Sequence, residues 1–222
     1  MKRPTVLDEL MPPRPARADS PAARTRRRLL DSANELIRRD GRVPSVSEVA
    51  EAAAVSRATA YRYFPTRSRL IAAVVDSSLG PVRSWEPSSD DAQDRVDELL
   101  NSTFGRFKEF EIPMRAALQL ALEHAALDRA GLLNEEPYRR GYRVRILQTA
   151  LAPLKPRLPR RTYDRLWRAL SLVYGIEPYV VFKDMWGASD ADVEDIARWM
   201  AGALMREAMR ELVPAKEARK AR

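Results

Sequence analysis

Three features of the chain predict an all-helical fold. Apolar residues recur three and four apart through nearly every segment after residue 25, the spacing that lines one face of a helix. The alternation of a half-buried strand is rarely met. Helix start and stop signals then punctuate the apolar runs: Ser45 stands three residues before Glu48, Ser56 precedes a short mixed segment, and Gly41 follows a basic run. The order of segments gives an N-terminal three-helix unit containing a helix-turn-helix, joined by a helix to a larger helical domain. The expected divisions are a disordered basic arm over residues 1–24, the helix-turn-helix unit over 25–70, the larger domain over 71–213, and a basic tail over 214–222.

In order along the chain, Pro4, Pro12, Pro13 and Pro15 sit in a Pro-, Ala- and Arg-rich stretch with no periodicity, which reads as an arm without a packed core. Thr25 is the expected cap of the first helix, Leu29, Leu30, Ala33, Leu36 and Ile37 its buried stripe, and Gly41 its stop. The Ser45–Glu48 pair forms a capping box, so a second helix starts near Val46 with Val49, Ala50 and Ala53 on its apolar face. Val55 carries the core through a tight turn. Ser56 then caps a third helix that buries Ala60 and Phe64 and turns Arg57, Ala58, Thr59, Tyr61, Arg62 and Tyr63 to other faces. Pro65 and Thr66 open a fourth helix, with Leu70, Ile71, Val74 and Val75 inward, ending near Gly80 and Pro81. Further amphipathic helices are expected over residues 90–111, 113–127 and 136–151, and two longer ones over 160–185 and 191–213. Pro178, inside the first of the longer pair, is expected to kink it.

Charge is unevenly placed. Of the formal net charge of +8, residues 1–70 carry +7, from fifteen Lys or Arg against eight acids. A basic excess confined to one unit neutralises phosphates there and releases counterions, which points to a nucleic-acid partner. The same residues form the helix pair whose second member shows Arg, Thr and Tyr outward, groups suited to base edges and phosphates. The 222-residue chain has no cysteine and one histidine, and its eight glycines show no phosphate-cradling pattern. Neither a thiolate metal site, nor a Ser/His/Asp or Cys/His arrangement, nor a P-loop is therefore expected, and no cofactor or metal. Lacking an apolar N-terminal run and any ~20-residue apolar stretch, the chain is expected to be soluble and cytoplasmic, with no membrane partner. The competing readings are a nonspecific nucleic-acid-binding protein, which would not need the near-neutral second domain, and an all-helical enzyme.

Residues 25–70 resemble the DNA-binding region of the tetracycline-repressor (TetR) family of bacterial one-component regulators. The matching pieces are the basic first helix Arg26-Arg27-Arg28-Leu29-Leu30-Asp31-Ser32-Ala33, the segment Ser45-Val46-Ser47-Glu48-Val49-Ala50, the block Val55-Ser56-Arg57-Ala58-Thr59-Ala60-Tyr61-Arg62-Tyr63-Phe64, and Arg67-Ser68-Arg69-Leu70. The resemblance implies a double-stranded DNA operator, a homodimer, a small-molecule effector and, as the family's common mode, repression. It places Arg57, Ala58, Thr59 and Arg62 toward base edges, Tyr61 and Tyr63 on phosphates, and Arg67 where the family has a phosphate-binding lysine. Ser47 adds a contact from the preceding helix. Two positions depart from the pattern: Ala54 stands where glycine is usual in the turn, and Tyr63 where histidine is frequent.

The remaining expectations concern the larger domain. The two long apolar helices are expected to form a four-helix dimer interface through Leu166, Leu170, Val173, Ile196, Met200 and Leu204. An effector pocket is expected from apolar walls that include Phe107, Met114 and Leu118, with His124, Tyr142, Tyr174 and Glu177 as its polar or amphipathic groups. That mixture suits a small, mostly apolar molecule.

Overall fold

The computed structural model describes residues 20–212, apart from the side chains of Pro81, Arg83 and Tyr142; of the expected disordered arm over 1–24, residues 1–19 lie outside the described residues, as does the tail over 214–222, whereas 20–24 form the cap and first turn of a helix. Those described fold into ten α-helices: α1 (Pro21–Asp40), α2 (Val46–Ala52), α3 (Arg57–Tyr63), α4 (Arg67–Leu79), α5 (Ala92–Phe104), α6 (Phe107–Arg129), α7 (Tyr142–Ala150), α8 (Arg160–Val173), α9 (Ile176–Trp186) and α10 (Asp190–Met209). Short 3-10 turns follow α4 and α7. Two compact units divide the chain. Of the described residues, the first takes those up to Gly80 together with Lys108–Gly141, and the second takes Pro81–Phe107 and those from Tyr142 onward. The units are thus interleaved along the sequence, whereas the sequence suggests one boundary after residue 70.

In the first unit the local signals place the helices. Gly41, at φ 69°, stops α1 by donating its N–H to Ile37 O. The capping box at Ser45 and the caps at Ser56 and Thr66 all form. The start of α1 differs from expectation: Ser20 is the cap, its hydroxyl accepting from Ala23 N, with Pro21 as first helical residue, a favoured position because proline's missing donor is not needed there. Thr25 instead donates its hydroxyl to Pro21 O at 3.0 Å. Leu29, Ala33 and Ile37 from α1, Val49 from α2, Ala60 from α3 and Leu70 and Ile71 from α4 are almost wholly buried, and α1 packs against both α2 and α4.

Breaks in the later helices depart from the sequence reading in four places. α5 ends at Phe104, because Ser102 and Thr103 both turn their hydroxyls back to Leu99 O and Gly105 follows. α6 then continues through Pro113, which lies inside it. The proline leaves Glu109 O without its usual partner four residues on, and Arg38 Nη2 donates to that oxygen at 2.9 Å. Residues 132–141 carry no regular secondary structure, although a helix is expected from residue 136, and α7 starts only at Tyr142. The expected single helix over 160–185 is two, with Gly175 at φ 144° between them. Pro178 falls in the first turn of α9, where it interrupts no hydrogen bond and causes no kink. α10, capped by Ser189, ends at Met209.

The second unit's core holds an aromatic group: Phe107 and Tyr179 stack with ring centres 3.7 Å apart, and Phe104 lies 6.0 Å from Tyr179. Thr103 Oγ1 and Tyr174 Oη share a hydrogen bond of 3.0 Å beside it.

Candidate nucleic-acid interface

Helix α2 is fixed at both ends before any recognition residue is considered. At its start, Ser45 Oγ accepts from Glu48 N and the Glu48 carboxylate accepts from Ser45 N. Arg42 adds two hydrogen bonds to the same carboxylate. The Arg42 hydrogen bond, then those from Ser45, pull the Glu48 pKa down to about 2. At its end, Val55 N donates to Ala50 O and Ala54 N to Glu51 O, each at 3.0 Å, a Schellman closure with Ala54 in the left-handed position. Ala54, at φ 51°, is the sole non-glycine with positive φ among the described residues. Arg28 of α1 reaches across to donate to Ala53 O at 2.5 Å. The angle between α2 and α3 is therefore set by backbone hydrogen bonds and by a side chain from a third helix.

On that frame α3 presents its outer face. Arg57, Ala58, Tyr61 and Arg62 are exposed, while Thr59 and Tyr63 are half-buried. Ser56 Oγ accepts from Thr59 N and donates to Thr59 Oγ1 at 2.9 Å, leaving the threonine's own hydroxyl hydrogen for an outside acceptor. Tyr61 Oη lies 3.3 Å from Ser47 Oγ, which brings two hydroxyls from α2 and α3 to one edge. The Arg62 guanidinium rests 5.6 Å from the Tyr63 ring centre and that of Arg26 5.7 Å from Phe64, contacts that restrict long side chains and lower the entropy lost on binding. Seven of the eight expected DNA-facing residues lie on these two neighbouring helices.

Arg67 is placed differently. Its guanidinium and backbone N–H point to carboxylates of Glu123 and Glu135, residues 56 and 68 positions away. No spacing rule connects them to Arg67, so the sequence reading missed them, as it missed Arg28 as a brace for the turn.

The expected effector residues do not gather within one unit. Met114, Leu118 and His124 belong to the first, Phe107, Tyr174 and Glu177 to the second, and the Tyr142 side chain lies outside those described. His124 is buried, accepts Tyr138 N–H at Nδ1 and faces Glu135 through Nε2. Glu177 is held by a two-armed ion pair with Arg143, so the acid that reads as a ligand-facing group serves the α8–α9 junction. Of the expected dimer residues, Leu166, Leu170 and Val173 are at most 3% exposed and form core. Ile196, Met200 and Leu204 remain half-exposed.

Residues 29–74 match the model of the family described as bacterial regulatory proteins, tetR family. In structure, the chain is similar to a TetR transcriptional regulator from Rhodococcus sp. RHA1, with 24% identity, 82% of this chain and 96% of the other covered, and a TM-score of 0.53. A protein assigned to the TetR family from Mesorhizobium loti is 17% identical, covering 85% of this chain and 98% of its own, with a TM-score of 0.49. No curated protein matches the chain significantly. The first unit of this chain therefore carries the tetR-family regulatory-protein domain, at residues 29–74, within an all-helical fold shared with a TetR transcriptional regulator.

Proposed function

We propose that the protein is a homodimeric repressor that reads a DNA operator with α3 and leaves it when a small, mostly apolar effector binds. The observation that carries this reading is the outer face of α3, with Arg57, Thr59 and Arg62 set on a rigid two-helix frame beside Ser47 and Tyr61. Arginine forks match the two acceptors of a guanine edge, and hydroxyls suit phosphates. Ala58 adds a small surface for a thymine methyl.

Dimerisation is supported by exposed large apolar residues of the second unit: Leu172 on α8, Val181, Met185 and Trp186 on α9, and Trp199 on α10. Apolar surface of this kind is what a self-complementary interface covers. In the dimer, two copies of α3 would meet successive major grooves about 34 Å apart. An effector that prefers a second conformation shifts the population away from that spacing, and its differential affinity sets the size of the response. Phe107, within the aromatic group of the second unit, and Tyr174, hydrogen-bonded to Thr103 beside it, belong to the apolar core that such an effector would have to enter.

Binding sites selected from a pool of random duplexes, followed by anisotropy titrations, test the readout. Arg57→Ala or Arg62→Ala should cost about 1–3 kcal/mol on the selected duplex and flatten the preference over random DNA, whereas Tyr61→Phe should weaken both alike. Equal losses on both duplexes for the arginine variants would remove α3 as the reader.

A further inference from the structure

Three carboxylates of the first unit, those of Glu123, Glu135 and Glu136, converge on the first turn of α4. Glu135 Oε2 accepts the Arg67 backbone N–H at 3.2 Å, and its Oε1 accepts from Arg67 Nε at 3.1 Å. Arg67 Nη2 donates to Glu123 Oε1 at 2.7 Å. Ser68 Oγ donates to Glu136 O at 2.7 Å and Arg69 Nε to Glu136 Oε2 at 2.8 Å. These bonds strap the irregular segment after α6 across the N-terminus of α4. His124, only 1% exposed, braces the strap from behind. Its Nδ1 accepts the Tyr138 N–H at 3.0 Å, so the neutral ring carries its proton on Nε2, which donates to Glu135 Oε1 at 3.2 Å.

The occupied groups are those a phosphate would use. A backbone N–H at a helix start and a guanidinium fork bind oxyanions in pairs, and here a carboxylate already takes both. A groove of about 620 Å³ passes the same spot, lined by Ser45, Tyr61, Thr66, Arg67 and Glu135 among others, so Tyr61 of the recognition helix and the Glu135 strap face one opening. Three carboxylates surround two guanidinium groups there, those of Arg67 and Arg69. Burial works against the Arg67 charge, yet the hydrogen bonds it donates to Glu123 and Glu135, with their negative charges, outweigh it and hold its pKa above the usual arginine value.

We propose that Glu135, braced by His124, is an intramolecular competitor of DNA phosphate at Arg67, an autoinhibitory contact that lowers DNA affinity until the segment after α6 lets go. The proposal rests on α3 being a DNA reader, and adds that the chain's own carboxylates set how tightly it binds. Sequence preference, carried by α3, is untouched by the contact.

The test uses the full-length protein in anisotropy titrations from low to moderate salt, on a selected duplex and on random DNA. Glu135→Gln and, separately, the structurally milder Glu123→Gln, at an exposed position, should bind both duplexes roughly tenfold more tightly at 0.1 M salt, with a log K against log salt slope steeper by about 0.9 for each subunit bound. Adding Arg67→Ala to Glu135→Gln or to Glu123→Gln should abolish the gain, which separates competition at Arg67 from a general loss of negative charge. Unchanged or weaker binding by the single glutamine variants, or a gain that survives Arg67→Ala, would overturn the proposal. If the wild type binds neither duplex, the DNA-binding reading itself falls and this one with it; if it binds a selected sequence while the variants behave alike, only the competition is wrong.

Discussion

Ala54 takes a left-handed backbone that an L side chain adopts only at a cost of about 1–2 kcal/mol. Glycine there relieves the strain but gives back some entropy in the unfolded chain. Ala54→Gly is therefore expected to stabilise the first unit by about 0.5–1 kcal/mol in urea denaturation, and a loss of stability would contradict the strain. Glu48 makes a second prediction at this scale. Its folded pKa, about 2, lies below the ordinary value of 4.5. Its contribution is thus fully present above about pH 4.5 and lost as pH falls toward 2. The group is 41% exposed, so after allowance for solvent screening the contribution is about 1 kcal/mol. Denaturation of Glu48→Gln should lose that part of the acid sensitivity and leave stability at pH 7 lower by a similar amount.

Among the elements, the junction of α8 and α9 shows how a single arginine shapes a helix break. Arg143 Nη1 donates to Ser171 O at 2.7 Å and Tyr174 O at 3.3 Å, satisfying carbonyls that the end of α8 exposes, and pairs with Glu177 at the start of α9. Gly175 lies beneath it; a Cβ there would sit 2.8 Å from Arg143 Nη1 and 3.0 Å from Glu177 Oε2, on a backbone at φ 144°. Gly175→Ala should destabilise the second unit by roughly 2–3 kcal/mol, measured by thermal unfolding, and a neutral effect would show that the junction yields easily. This junction also marks what was legible in the sequence. The starts of α2, α3 and α4 were readable because a cap and its amide lie within three residues of each other. The break at Gly175, the irregular strap after α6 and the passage of α6 through Pro113 depend on partners 28 to 71 residues distant, which periodicity does not reveal. The same contrast divides the candidate sites: the face of α3 follows from its spacing, while the partners of Arg67, His124 and Glu177 come from the fold.

For the whole molecule, the prediction is association through the second unit. Leu172→Glu and Trp199→Glu replace residues 67% and 68% exposed, so each should leave the helical content intact and shift the protein from dimer to monomer in sedimentation at micromolar concentration. Leu170→Glu, at a position 1% exposed, should instead unfold it. A folded wild-type monomer under these conditions would contradict the homodimer. DNA footprinting of the full-length protein on its selected sequence tests the central claim most directly. Two related half-sites, protected on one face of the duplex with centres about 10 base pairs or a multiple apart, and lost together with Arg57→Ala, are predicted. Uniform coverage of the duplex, with no sequence favoured and no effect of Arg57→Ala, would contradict it.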